Sequence, residues 1–256
     1  MRILLALSLL TLAMSIATAQ QAAAPKQILF DFRVTRPITS PKISRATEKL
    51  VLSKVFKKYL TDENKCNRDF PGNASDDYLK AARLASQIVP SIVDATTGSF
   101  TAAGQTETAY VISVSECNAS HADNFGTKRI AIFAGQNLVA DLDVDFNSSI
   151  VQKTDLNGDG VDELLMASGD MAQGTLTEMA TLMTFQRGKL QVIEDFGTVN
   201  EDSCASGFPG SSIKTSVLSF GPAEPGKMPK LRQDNYSASC RTPKKWRFVS
   251  TGRMQD

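Results

Sequence analysis

The chain has 256 residues, with 28 basic and 27 acidic side chains, a single histidine and four cysteines. Charge balance this close to neutral argues against a nucleic-acid binder, which carries a strongly basic face. The length suits one large domain or two small ones with a substantial buried core.

Arg2 precedes an apolar run from Ile3 to Ile16, and Ala17-Thr18-Ala19 stands before Gln20. Charge, length and small residues in that order read as a secretory signal peptide over residues 1–19, so the chain is expected to be exported, periplasmic or secreted. The run is too short to span a bilayer, and no later segment approaches the ~20 apolar residues of a transmembrane helix. Cleavage after Ala19 leaves 256 − 19 = 237 residues and, with Arg2 gone, 27 basic against 27 acidic groups.

Residues 20–97 are expected to hold a strand and two helices. "QILFDFRV", Gln27 to Val34, alternates as a strand does. Ser40 and Pro41 offer a cap and a first helical residue, with Ile43, Ala46, Leu50, Val55 and Tyr59 following at helical spacing. A second helix is expected from Ser75, with Asp76 and Asp77 in its first turn, through Tyr78, Ala82, Ala85 and Val89 to Pro90.

Over residues 98–256 the period changes to two, in short runs separated by turn residues, and hairpin turns are expected at Gly135-Gln136-Asn137 and Arg187-Gly188-Lys189. A weak repeat appears over residues 98–145 and 150–197. Gly104 aligns with Gly160 and Glu107 with Glu163, while Phe133 and Leu138 bracket one turn as Phe185 and Leu190 bracket the other. Two copies do not close a ring. The expected fold is therefore mainly β with an N-terminal helical section (α+β), as degenerate propeller-like blades or an open antiparallel assembly of about seven to ten strands.

The stretch "TDLNGDGVDELLMASG" carries the densest chemistry. Asp155, Asn157 and Asp159 stand at positions 1, 3 and 5, Gly160 at 6, Val161 at 7 and Glu163 at 9. Alternate oxygen donors around a glycine turn suit calcium, which takes six to eight oxygens. An EF-hand is excluded, because position 12 is Met166 and an apolar run follows in place of an exiting helix. Asn-Gly and Asp-Gly also make ordinary turns without an ion, yet the crowded carboxylates repel one another and favour a counter-cation.

A loop of the form D-x-N-x-D-G-x-x-E leading into a strand resembles the calcium loops of FG-GAP (VCBS-type, integrin-like) repeats. The resemblance covers Thr154 to about Phe196 well and Gly98 to Val144 loosely. It implies a structural calcium held by Asp155, Asn157, Asp159 and Glu163 and by the Val161 carbonyl. Glu163 departs from the commoner aspartate, and the first copy has Ser99, Thr101 and Ala103 at the ligand positions, so that loop should bind no metal. The resemblance further implies a surface for a protein or carbohydrate ligand at the cell envelope, by fold-level analogy.

Four cysteines in an exported chain read as two disulfides, and proximity suggests Cys66 with Cys117 and Cys204 with Cys240. Cys117 and His121 lack the paired spacing of a structural zinc module. Signals for catalysis are sparse. His121 must serve every histidine-dependent scheme, there is no G-x-S-x-G elbow, and Ser211-x-x-Lys214 lies in a Gly/Ser-rich segment. Asp141, Asp143 and Asp145 alternate on one strand face, the solvent side of a hairpin or, more sharply, a carboxylate cluster. Arg241, Lys244, Lys245 and Arg247 surround Trp246 as a solvated basic segment. The expected protein is non-enzymatic, the alternative being an envelope hydrolase using the three aspartates or His121.

Overall fold

The computed structural model describes residues 26–34, 41–57, 59, 88–116, 127–144, 148–186 and 188–252. The described residues are mostly β, 60% strand and 8% helix, in antiparallel sheets of which none is closed. Among the described residues the elements are β1 (Gln27–Asp31), α1 (Arg45–Val55), β2 (Ile88–Gly98), β3 (Glu107–Glu116), β4 (Thr127–Ala134), β5 (Asn137–Val144), β6 (Ser148–Thr154), β7 (Glu163–Ala172), β8 (Thr175–Gln186), β9 (Lys189–Asp202), β10 (Ser212–Phe220), β11 (Leu231–Ser239) and β12 (Arg247–Thr251).

Strands β2 to β5 form a four-stranded meander. Strands β6 to β12 run in sequence through a second sheet, which β1 joins through β10 to make eight strands. The aligned copies become two equivalent four-stranded units, β2–β5 and β6–β9, each with a loop between its first and second strands and a tight turn between its third and fourth. Phe133 pairs with Leu138 across one turn and Phe185 with Leu190 across the other. The second unit continues into β10 without a break, so β6 to β12 extend one open sheet, while β2 to β5 form a sheet of their own.

Three N-terminal expectations change. Helix α1 is capped by Ser44, whose side chain accepts the Thr47 N–H at 3.1 Å; Ser40 lies outside the described residues. Glu48 in the first turn suits the positive helix end. The helix stops at Val55, short of Tyr59, because Phe56 turns to extended backbone. The expected second helix falls largely outside the described residues, but its end at Val89 and Pro90 is strand. Proline inside a helix removes a hydrogen bond and clashes, whereas β2 is an edge strand, where proline is tolerated. Strand β1 ends at Asp31, three residues before Val34.

The core has three layers. Phe100, Val111, Ile130 and Ile132 of the first unit pack against Leu164, Met166, Met183 and Phe185 of the second. Alternation turns Leu165 and Ala167 to the opposite face, where they meet Leu29, Phe32, Leu218 and Leu231. On the outer side of the first unit, Val51 and Leu52 of α1 cover Ile112, Val114 and Phe133. Each fully buried side chain of this size contributes about 1.5–3 kcal/mol. No helix among the described residues is long and apolar enough to cross a membrane.

Candidate functional site

The two repeat loops, 99–106 and 155–162, lie side by side at the seam between the units. Asp162 donates its N–H to the Ser99 carbonyl at 2.6 Å, and its Oδ2 accepts the Ser99 N–H at 2.8 Å. Lys153 approaches the same carboxylate at 3.5 Å. A Cβ at Gly160 would sit 2.9 Å from the Ala103 Cβ, and Gly160 also holds φ +84°. The glycine therefore answers two demands, a left-handed backbone and close approach of the neighbouring loop.

Both loops are closed by the same device. Glu107, the first residue of β3, reaches back to accept the Phe100 N–H at 2.7 Å and the Thr101 N–H at 2.8 Å through Oε2, and the Thr101 hydroxyl bonds its Oε1. Glu163, the first residue of β7, accepts the Leu156 N–H at 2.8 Å. Both carboxylates are buried, 2% and 1% exposed. Each fixes a buried apolar residue, Phe100 or Leu156, that turns from the loop into the core. A glutamate at position 9 spans this gap where a shorter aspartate would fall short by one methylene. The role of Glu107 was visible only through its alignment with Glu163.

Loop 155–162 folds around its own acidic side chains. Asp155 Oδ1 accepts the N–H groups of Gly158 at 2.8 Å and Asp159 at 3.2 Å, and its Oδ2 accepts Gly160 N–H at 2.9 Å. Asn157 Oδ1 accepts Asp159 N–H at 3.0 Å while its Nδ2 donates to Asp159 Oδ2 at 3.0 Å. Asp159 Oδ1 accepts Val161 N–H at 2.8 Å. These are the local turns that short acidic and amide side chains favour. The Asn157 carbonyl accepts Gly226 N–H at 2.7 Å, which ties the loop to the β10–β11 connection.

Electrostatically the loops differ. Burial raises the Glu163 carboxyl to about 7, and the negative charges of Asp159 and Asp155 add to the rise against the Leu156 N–H. Among the described residues, no lysine or arginine pairs with Asp155, Asp159 or Glu163. By donor chemistry the set fits a hard, oxygen-seeking cation: three carboxylates, an amide and a backbone turn. Geometrically, no three acidic, histidine or cysteine side chains among the described residues converge as a ready shell; the carboxylates are turned onto backbone N–H groups instead.

The other flagged residues have identifiable partners. Asp141 and Asp143 on β5 are both held by Arg129 of β4, through Nε and Nη1 at 2.8 Å each. Asp145, His121, Cys66 and Cys117 lie outside the described residues. The Ser211 hydroxyl donates to the Phe208 carbonyl and Lys214 pairs with Glu201. Cys204 and Cys240 form a disulfide with Cα atoms 5.5 Å apart, fastening the 3₁₀ turn after β9 to the residue that follows β11. Arg241, Lys244, Lys245 and Arg247 are exposed around a half-buried Trp246. Compared with known proteins, the chain matches no family model, no curated protein and no solved structure.

Proposed function

We propose that this is an exported, non-enzymatic β-repeat protein of FG-GAP-like design. Its loop 155–163 holds one structural calcium through Asp155, Asn157, Asp159, Glu163 and the Val161 carbonyl, and its sheets present a surface to a protein or carbohydrate ligand. The observation that supports the calcium reading is the contrast between the paired loops. Glu107 is satisfied by two N–H groups and a hydroxyl, whereas Glu163 has one N–H from another residue and faces Asp155 and Asp159. A cation there supplies neutralising charge and a cross-link. With most coordination positions taken by protein oxygens, the role is structural, since catalytic metals keep an open position.

Export accords with the leader-like residues 1–19 and with the Cys204–Cys240 bridge, a bond of oxidising compartments. The hydrolase alternative draws no support from Asp141 and Asp143, both engaged by Arg129. Thermal unfolding tests the proposal. Calcium at 100 times its dissociation constant should stabilise by about 2.7 kcal/mol, magnesium much less, and Asp159→Ala should abolish the response. Extracellular sites often bind at 10⁻⁴–10⁻³ M, so titration must reach the millimolar range. A melting temperature indifferent to millimolar calcium and to chelator would refute it.

A further inference from the structure

Strand β12 ends the eight-stranded sheet, and among the described residues it pairs with β11 alone. The backbone groups on its outer side form a row of unpaired donors and acceptors, on which a further strand can build. All of its residues are exposed, Phe248 at 57% and Val249 at 61%. Cross-strand partners share a face, so Arg247 stands with Ser237 on one side of the sheet and Phe248 with Tyr236 on the other. The Phe248 and Tyr236 rings meet edge to face at 5.8 Å, and the Arg33 guanidinium lies 4.5 Å from the Tyr236 ring centre. Phe248 is thus held in place while its outer surface faces water.

Positive charge is concentrated where this strand begins. Arg241, Lys244, Lys245 and Arg247 are exposed, and none forms an ion pair with a described residue. Residues 239–252 contain no acidic side chain. The turn leading into β12 is internally fixed. Thr242 donates its N–H to the Ser239 carbonyl at 2.9 Å, Lys245 donates to the Thr242 carbonyl at 3.0 Å, and the Arg241 N–H reaches the Ser239 hydroxyl at 3.2 Å. Cys240 in the same turn is bridged to Cys204. Charges and bulges commonly protect a sheet edge from pairing, and Val249 is an extra residue that bulges β12. Exposed Phe248 and Val249 work against protection, however, and uncompensated charge of one sign selects a partner of the other.

Edge and charge together define the occupant. A second copy pairing through the same strand would bring the same cations to one seam, where like charges repel. A bilayer could cover Phe248 only by taking the unpaired N–H and C=O groups of the edge out of water, and lipid cannot satisfy them. An extended acidic chain meets every feature. Its main chain pairs with the edge, its carboxylates meet the cations, and its apolar side chains cover Phe248 and Val249. We propose that β12 takes an acidic peptide segment of a partner protein as an added strand, with the carboxylates of that segment at the 241–247 end. This names the protein ligand of the proposed function and rests on that reading, while being independent of its calcium half.

The test is amide-resolved NMR titration of the mature protein with two end-blocked peptides, DEEVTVTV and its reverse VTVTVEED, with and without millimolar calcium. At least one should shift the amides of β12 and of residues 241–245 below millimolar concentration, more weakly as salt is added. Methylating alternate amides of that peptide gives two forms. The form methylated on the pairing edge should lose binding and the other keep it, because an added strand bonds the sheet along one edge only. The exposed pair Lys244→Glu and Lys245→Glu should together weaken binding about tenfold or more with the melting temperature retained. The inference is overturned if neither peptide moves the β12 amides, if the folded double variant or both methylated forms bind as the parent does, or if KKKVTVTV binds as tightly. Phosphatidylglycerol vesicles or polygalacturonate shifting these amides where the peptides do not would also overturn it, as would β12 shifts that depend on protein concentration alone. Peptide shifts confined to other strands would sink this inference and leave the proposed protein-binding surface standing, whereas no shift anywhere would sink both.

Discussion

Replacing Glu163 by glutamine tests the seam at its most buried charge. The residue is 1% exposed, and burial, then Asp159 and Asp155, push its carboxyl from 4.5 up to about 7. The folded value lies above the unfolded one, so the proton favours folding. Stability from this group is complete below about pH 4.5, declines as pH rises towards 7, and levels off above it. At about 1.4 kcal/mol per pH unit, that interval corresponds to roughly 3 kcal/mol in the ion-free protein. Glutamine keeps a carbonyl acceptor for the Leu156 N–H and carries no charge, so Glu163→Gln should lose this decline. The assay is urea unfolding in chelator at pH steps from 4 to 8, with the two profiles diverging by roughly 3 kcal/mol across the window. Millimolar calcium should then stabilise the wild type more at pH 8 than at pH 5, and the variant little at either. Parallel wild-type and variant profiles in chelator would refute the reasoning, because Glu163 would then not be the strained charge.

Gly160→Val should destabilise the fold by more than about 2 kcal/mol even without calcium, since φ +84° and the Ala103 Cβ at 2.9 Å oppose any side chain; chemical denaturation measures it, and a near-neutral effect would contradict the close packing of the loops. Reducing Cys204–Cys240, a sequence separation of 36, should cost about 3–4 kcal/mol by freeing the unfolded chain, read as a lower urea midpoint after thiol treatment. Asp234 is raised by burial but lowered further by Lys26, Arg232 and Thr251, leaving its carboxyl below the ordinary range. Its stabilisation is therefore present above the unfolded value of 3.8 and lost as pH falls through the folded one. Asp234→Asn should cost about 1–3 kcal/mol at pH 7 and progressively less under acid, while an equal cost at both would contradict the ion-pair assignment.

What was legible in the sequence was local. Period-two runs located β3 to β5, β7 to β10 and β12 but not β6 or β11, and the Phe133/Leu138 and Phe185/Leu190 brackets found both turns, because hairpin partners are close in the chain. Glu163 and Gly160 were visible as a motif for the same reason. The Ala82, Ala85, Val89 spacing misled at its end, since pairing with β3 and the β-branched Ile88, Val89 and Ile92 decide that segment against helical periodicity. Longer-range features left no local trace. Asp162 bonds Ser99 across 63 residues, and Lys26 meets Asp234 across 208. Strand β1 captures the far half of β10, a pairing between the two ends of the fold.

The two loops are one design with two means of compensation. In the first, Thr101 occupies the position that aligns with Asn157, and its hydroxyl joins two N–H groups on Glu107. In the second, Asn157 turns instead to Asp159, and Glu163 keeps Leu156 as its partner from elsewhere in the chain. Substituting ligand-type side chains thus removed an internal donor and added negative charge beside a buried carboxylate. The second loop is also the better connected, bonded to Ser99 in the first unit and to Gly226 between β10 and β11. A cation seated there would stiffen the first unit, the second and the C-terminal strands together. Its binding should therefore register as stability of the whole fold, whereas loss of a merely local turn would register only as fraying of the loop.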